Sequence, residues 1–131
     1  MEVKEGSSVE ASTRLIQELL FNKLAPSPHL YAWNLKMDNI LVSTVRGFKY
    51  GEDFVIDYAV TRPECRNQGY SKRLIDRAKK QFPNLYVLAT EDAVGFWIKQ
   101  GFTRTDQDKT VLNRFEDTYL LQFVSAKTAF Q

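Results

Sequence analysis

The residues best suited to do chemistry lie in one stretch, Val60-Thr61-Arg62-Pro63-Glu64-Cys65-Arg66-Asn67-Gln68-Gly69-Tyr70-Ser71, and the chemistry they suit is the binding of an anion. A β-rich run ends there, Pro63 breaks it, and a helical pattern opens at Gly69. Backbone N–H groups without partners and the positive end of a helix dipole therefore converge on one point. Gly69 lets the backbone approach a phosphate with no side chain in the way, so a pyrophosphate would fit. Lys72 and Arg73 place positive charge in the first turn, where it opposes the dipole, and that conflict points to an anionic ligand. Spacing alone also admits an ordinary strand-to-helix turn with solvated charges. No Walker-type Gly-Lys-Ser/Thr ending follows the glycine.

Other reactive chemistry is sparse. The chain has one histidine, His29 in a Pro-rich turn, and one cysteine, Cys65, which excludes an internal disulfide, the usual zinc ligand sets and a Ser/His or Cys/His nucleophile pair. No metal is expected, and carboxylates, tyrosines and backbone must supply the chemistry. Eighteen basic and 16 acidic residues leave a net charge of +2, far from the dense positive field of a dedicated nucleic-acid binder. The sequence holds no apolar run of membrane-spanning length, and no secretory leader is expected. These features predict a soluble intracellular protein, cytoplasmic or, in a eukaryote, nuclear, with neither nucleic acid nor membrane as a direct partner.

Positioning these residues falls to a chain of 131 residues, long enough for one core and too short for two ordinary domains. A single domain over 1–131 is expected, with 125–131 fraying. Met1–Lys4 reads as a short strand, and Ser7-Ser8 caps a helix carrying Leu15, Ile16, Leu19, Leu20 and Leu24 that ends near Pro26. Leu30–Lys36, Ile40–Phe48 and Asp53–Val60 read as a three-strand meander. A helix from Gly69 places Tyr70, Leu74, Ala78 and Phe82 on one face. Leu85–Ala89 is a buried strand, Glu91 and Asp92 open another helix through Phe96 and Trp97 to Gln100, and Gly101 terminates it. Tyr119–Val124 is the last strand. This order predicts an α/β (α+β) fold, a mixed sheet with helices on its faces.

Arg66-Asn67-Gln68-Gly69-Tyr70-Ser71 resembles the Arg/Gln-x-x-Gly-x-Gly/Ala pyrophosphate loop of the GNAT superfamily of N-acetyltransferases. Ala93-Val94-Gly95-Phe96-Trp97-Ile98-Lys99-Gln100-Gly101-Phe102 resembles the later helix of that family, and with Thr103 is especially similar to its histone lysine acetyltransferase branch. The likeness in element order runs from Met1 to about residue 124. It implies a mostly antiparallel sheet with helices on both faces, in which the strands at 53–60 and 85–89 splay to form a slot for acetyl-CoA. Backbone groups of Tyr58, Ala59, Val60 and Thr61 would pair with the pantetheine, and the amides of residues 66 to 71 would hold the pyrophosphate. Lys72 and Phe96 complete the expected cofactor-binding set.

The resemblance also implies direct transfer to an amine, which needs a base. Counting back from Pro63 makes Asp57 the first candidate. Counting from Ala59-Val60 against the histone branch puts Phe54 where that branch has its glutamate, with Asp53 one residue away as the second candidate. The loop is one residue longer than in that branch, which a strand bulge would absorb. Glu52 reads as a turn residue. Trp97 stands where many members have a tyrosine acid, Thr90 where they have asparagine, and Ser71 where they have Gly or Ala. Tyr119 is an outside catalytic candidate; Tyr86 reads as packing and Cys65 as a plain loop residue. The leading expectation is acetylation of a protein lysine, in a larger complex or alone. The alternatives are a small-molecule amine acceptor, a CoA-binding or protein-interaction domain without turnover, and a nucleotide-phosphate module unrelated to CoA.

Overall fold

The computed structural model describes residues 2–20, 30–105 and 118–124. Strand β1 (Val3–Gly6) begins two residues later than the sequence suggests. Ser8 accepts the Ala11 N–H at 3.1 Å and so starts helix α1 (Val9–Leu20), which buries Ser12, Leu15 and Ile16. The predicted continuation past Leu20 through Leu24 to near Pro26, and His29, fall outside the described residues. Strands β2 (Leu30–Met37) and β3 (Ile40–Tyr50) form a hairpin about Asp38 and Asn39, both left-handed with φ of 49° and 68°, as a tight two-residue turn demands. Strand β4 (Asp53–Thr61) completes the meander. After a short turn at Pro63–Cys65 come α2 (Tyr70–Gln81), β5 (Asn84–Thr90) and α3 (Glu91–Lys99). A two-residue strand that the sequence reading missed, β6 (Thr103–Arg104), pairs with β7 (Thr118–Val124). Residues 125–131 are outside the description, and no described helix is long and apolar enough to cross a membrane.

The strands form one sheet in the order β1-β2-β3-β4-β5-β7-β6, antiparallel throughout except for the β4–β5 pair. Helices α2 and α3 cover one face. There Leu74, Ile75 and Ala78 of α2 and Val94 and Trp97 of α3 close over Phe54, Ile56 and Val87 of the sheet. Phe82 stacks on Phe54 at 4.8 Å, and Trp33 meets Phe54 edge-on at 5.0 Å. The other face carries α1 and a smaller apolar cluster of Phe48, Val55, Tyr86, Leu88 and Leu120. Helix α1 is attached through polar contacts: Ser12 and Thr44 share a buried hydroxyl bond of 2.5 Å, and the Asn34 amide donates to the Ser8 carbonyl at 2.8 Å.

Candidate functional site

Strands β4 and β5 pair for only three residues, Phe54–Ile56 against Leu85–Val87. On the β3 side, Arg46 is opposite Tyr58 and Gly47 opposite Ile56, so Asp57 is the extra residue of a bulge. The bulge shifts the alternation by one residue. Asp57 and Tyr58 both meet Arg46, on the α1 face, while Ala59 packs against the α2–α3 core. Gly47 permits this bend, because a Cβ there would lie 2.0 Å from the Val55 carbonyl oxygen. Beyond Ile56, β4 has no strand on its β5 side among the described residues, and the splayed slot implied by the family resemblance opens. Its inner part, about 380 Å³, is walled by Ile56, Asp57, Tyr58, Val87, Ala89 and Trp97. It continues past Ala59, Val60 and Ala93 into a wider groove of about 860 Å³. Thr61, Cys65, Arg66, Gly69, Ser71 and Phe96 are among the residues lining that groove.

At the groove's outer end Gly69 is the N-cap of α2, left-handed at φ 79° and with no side chain to cap the helix. The first helical bond runs from the Arg73 N–H to the Gly69 carbonyl at 3.0 Å, which leaves the preceding three helical amides without intrahelical acceptors. The turn before it is closed by the Cys65 N–H on the Arg62 carbonyl, and the Arg66 Nε–H reaches the Thr61 carbonyl at 3.3 Å. Ser71, Thr61 and Ser43 form a hydroxyl chain with both links at 2.7 Å, tying the first turn of α2 to the ends of β4 and β3. Serine in the family's Gly/Ala position therefore has a bonding role here.

The basic first turn is arranged differently from the sequence reading. Lys72 pairs with Asp76 at 2.9 Å and Arg73 lies 3.5 Å from Glu5, which Arg77 also binds. Lys72, Arg73, Asp76 and Arg77 line a separate hollow on the outside of α2, and the anionic partners of Lys72 and Arg73 are found within the chain. Gln68 accepts the Tyr70 hydroxyl at 3.1 Å.

Of the two candidate bases, Asp57 lines the slot and Asp53 does not. Asp53 sits at the far end of β4 with the Asn84 amide 3.1 Å away, and Phe54 between them is wholly in the core. The Asp57 carboxylate accepts the Arg46 Nη2–H at 2.8 Å and Nε–H at 3.3 Å, and the third nitrogen, Nη1, donates to the Thr13 hydroxyl of α1 at 3.0 Å. The Arg46 and Asp57 side chains are only 4% and 6% exposed. Burial raises the Asp57 pKa above its ordinary value, with the Arg46 hydrogen bond and charge pulling it back. Burial also raises the Tyr58 phenol, with the Asp57 charge adding to the effect, and the Arg46 guanidinium lies 5.2 Å from that ring's centroid.

Tyr119 is exposed opposite Ala89, with Arg104 over its ring at 5.2 Å, and it lines neither part of the groove. Tyr86 is buried on the α1 face and accepts from the Gln122 amide at 3.2 Å. Trp97, packed edge-on against Phe102, forms a wall of the slot, and Thr90 is the N-cap of α3 without a side-chain cap bond. Arg46, Gly47 and Thr13 were not singled out from the sequence. The available signal was an arginine within Val42-Ser43-Thr44-Val45-Arg46-Gly47-Phe48, a run reading as buried strand, where a charge requires a partner.

Residues 4–116 match the acetyltransferase (GNAT) domain family, whereas no curated protein sequence matches the chain. Tetrahymena GCN5 superposes with a TM-score of 0.65 at 18% identity, over 85% of this chain and 74% of that one. The PaiA N-acetyltransferase of Thermoplasma acidophilum, solved with coenzyme A, gives 0.61 at 12% identity, over 87% and 68%. Arabidopsis thaliana Naa50, solved with the bisubstrate analogue CoA-Ac-MVNAL, gives 0.69 at 17% identity, over 95% and 100%. At such identities the likeness is one of fold, and it does not favour the histone branch over the others. A family match across most of the chain, together with the splayed β4–β5 pair and the glycine-led α2, leads to one conclusion: the chain belongs to the acetyltransferase (GNAT) domain family.

Proposed function

We propose that this protein is an acetyl-CoA-dependent N-acetyltransferase that transfers the acetyl group directly to an amine, with a protein lysine as acceptor. The observation that carries the reading is the continuous groove between β4 and β5, apolar inside and ending at uncapped amides of α2. Its donor set suits the ligand. An extended diamide can pair with the open edge of β4 at Tyr58, Ala59, Val60 and Thr61, as an added strand would. Residues 66 to 71 hold the pyrophosphate at the helix N-terminus, and Phe96 and Trp97 form the opposite wall. When bound, acetyl-CoA supplies an acetyl group activated as a thioester.

Asp57 takes the amine's proton, directly or through water, and burial raises its pKa above the ordinary carboxylate value, which strengthens it as a base. Backbone N–H groups of the bulged strand stabilise the developing oxyanion as the amine nitrogen bonds to the acetyl carbon; the C–S bond then breaks and the CoA thiolate leaves, taking a proton from solvent. Lys72 contributes long-range charge only, and neither Asp53 nor Tyr119 has a step. The similarity of Ala93–Thr103 to the histone branch supports lysine as acceptor; the likeness to Naa50 with its CoA-Ac-MVNAL ligand favours a peptide N-terminus as the second choice.

Thermal denaturation with acetyl-CoA, CoA or ATP tests the cofactor, and transfer to lysine peptides, N-terminally free peptides and polyamines tests the acceptor. Acetyl-CoA and CoA at 100 times their Kd should raise the melting temperature by on the order of 10 °C, and ATP should not. Binding of both CoA forms with transfer to none of the amines would assign the groove to a domain without turnover. Equal protection by ATP would sink the CoA reading.

A further inference from the structure

We infer that Arg46 is a positioning residue for acetyl transfer, holding the Asp57 carboxylate in one orientation on the slot wall; this rests on the reading of Asp57 as the base. The bulge explains the need. As the extra residue, Asp57 has no directly opposite residue on β3 to hold its backbone or side chain in register. Two nitrogens of Arg46 grip its two oxygens, and the third is anchored on α1 through Thr13, so every edge of the guanidinium is engaged. A planar fork fixes the plane of a carboxylate as an ammonium cannot. Each oxygen keeps acceptor capacity for an amine or water.

Stability alone is a weak reason for such a pair, because buried ion pairs are often no better than apolar packing. This one lies where β4 leaves β5. Among the described residues, the groups facing Asp57 divide by element. Strand β3 presents the Arg46 guanidinium and β4 the neighbouring Tyr58 phenol. Helix α1 adds the uncharged Thr13, behind Arg46, and the apolar Leu20, while β5 and α3 present Val87, Leu88, Ala89, Thr90, Ala93 and Trp97, none of which titrates.

The test is the pH dependence of kcat/KM for acetylation of a lysine peptide by wild type, Arg46→Lys, Arg46→Gln, Asp57→Asn and the Asp57→Asn/Arg46→Lys double variant. Acetyl-CoA affinity is measured in parallel by thermal shift. Arg46→Lys should lower kcat on the order of 100-fold with unchanged acetyl-CoA affinity, the scale of misplacing a catalytic group by about an ångström. Arg46→Gln removes the positive charge that restrains Asp57 from protonation, so the acid limb of its profile should move to higher pH. In the Asp57→Asn background, Arg46→Lys should have no further effect. Wild-type kcat and pH limb in both Arg46 variants, or a full Arg46→Lys loss in the double variant, would overturn the inference. An Asp57→Asn protein as active as wild type would instead remove the base assignment beneath it. If the Arg46 variants fail to fold, Thr13→Val takes their place: a few-fold fall in kcat supports the inference, and an unchanged kcat overturns it.

Discussion

The two halves of β4 face different physical requirements. From Phe54 to Ile56 the strand is paired on both sides, Phe54 and Ile56 point into the α2–α3 core, and Val55 joins the opposite cluster. Beyond Ile56, Asp57 is the unpaired bulge residue and carries a buried ion pair, Tyr58 to Thr61 are paired on one side only, and the stretch lines a groove. The change occurs at the bulge, opposite Gly47. A strand satisfied on both sides provides the anchorage that lets its continuation leave backbone groups unpaired, and those groups become available to a ligand. Stability and function are therefore separated along nine residues of one strand.

Two aspartates four positions apart give the sharpest way to break this division. Asp57→Asn should lower kcat by about 10²–10⁴-fold, the usual contribution of a positioned base. Asp53→Asn, which alters only a contact with Asn84, should leave kcat within a few-fold of wild type. Steady-state rates on a lysine peptide decide it, and a large effect at Asp53 would place the chemistry at the wrong end of the strand. In the first half, Phe54→Ala should cost about 3–5 kcal/mol of folding free energy, because it leaves a cavity between Trp33 and Phe82. The protein that remains folded should still bind acetyl-CoA. A Phe54→Ala variant with normal stability to urea but no cofactor binding would reverse the assignment of the two halves.

At the groove's far end the expected effect is smaller. Gly69→Ala puts a Cβ on a left-handed residue, costing about 1–2 kcal/mol. The added methyl would project into open space, so the native backbone can persist while acetyl-CoA binding weakens. Unchanged affinity, measured by titration calorimetry, would remove the loop from the cofactor site.

What was legible from the sequence follows the same division. The meander, α2, β5 and α3 could be read because their apolar periodicities are strong, and Gly69 because a left-handed helix start leaves a local trace. The bulge was foreseen as a one-residue excess, but its position is set by how β3 meets β4, and a Cβ clash at Gly47 cannot be seen in one strand alone. Arg46 was missed for a related reason: its partners lie 11 residues away on β4 and 33 away on α1. The first-turn charges misled because Lys72 and Arg73 suggested a ligand before Asp76 and Glu5 could be placed beside them.

The smallest effect separates burial from ion pairing as the control on the slot's carboxylate. Asp57 has its pKa raised from 3.8, burial outweighing Arg46, so the folded protein binds that proton more tightly than the unfolded chain. Its contribution to stability is then fully present below 3.8 and is lost as the pH rises through the raised value. Glu5, held mainly by hydrogen bonds from Arg77, has its pKa lowered from 4.5. Its contribution is present above 4.5 and is lost as the pH falls through the lowered value. Urea unfolding as a function of pH should therefore give difference curves of opposite slope for wild type minus Asp57→Asn and wild type minus Glu5→Gln. Should both curves decline toward acid, the guanidinium would outweigh burial at Asp57. Its carboxylate would then be held ionised as an orienting charge, and a water would be left to take the amine's proton.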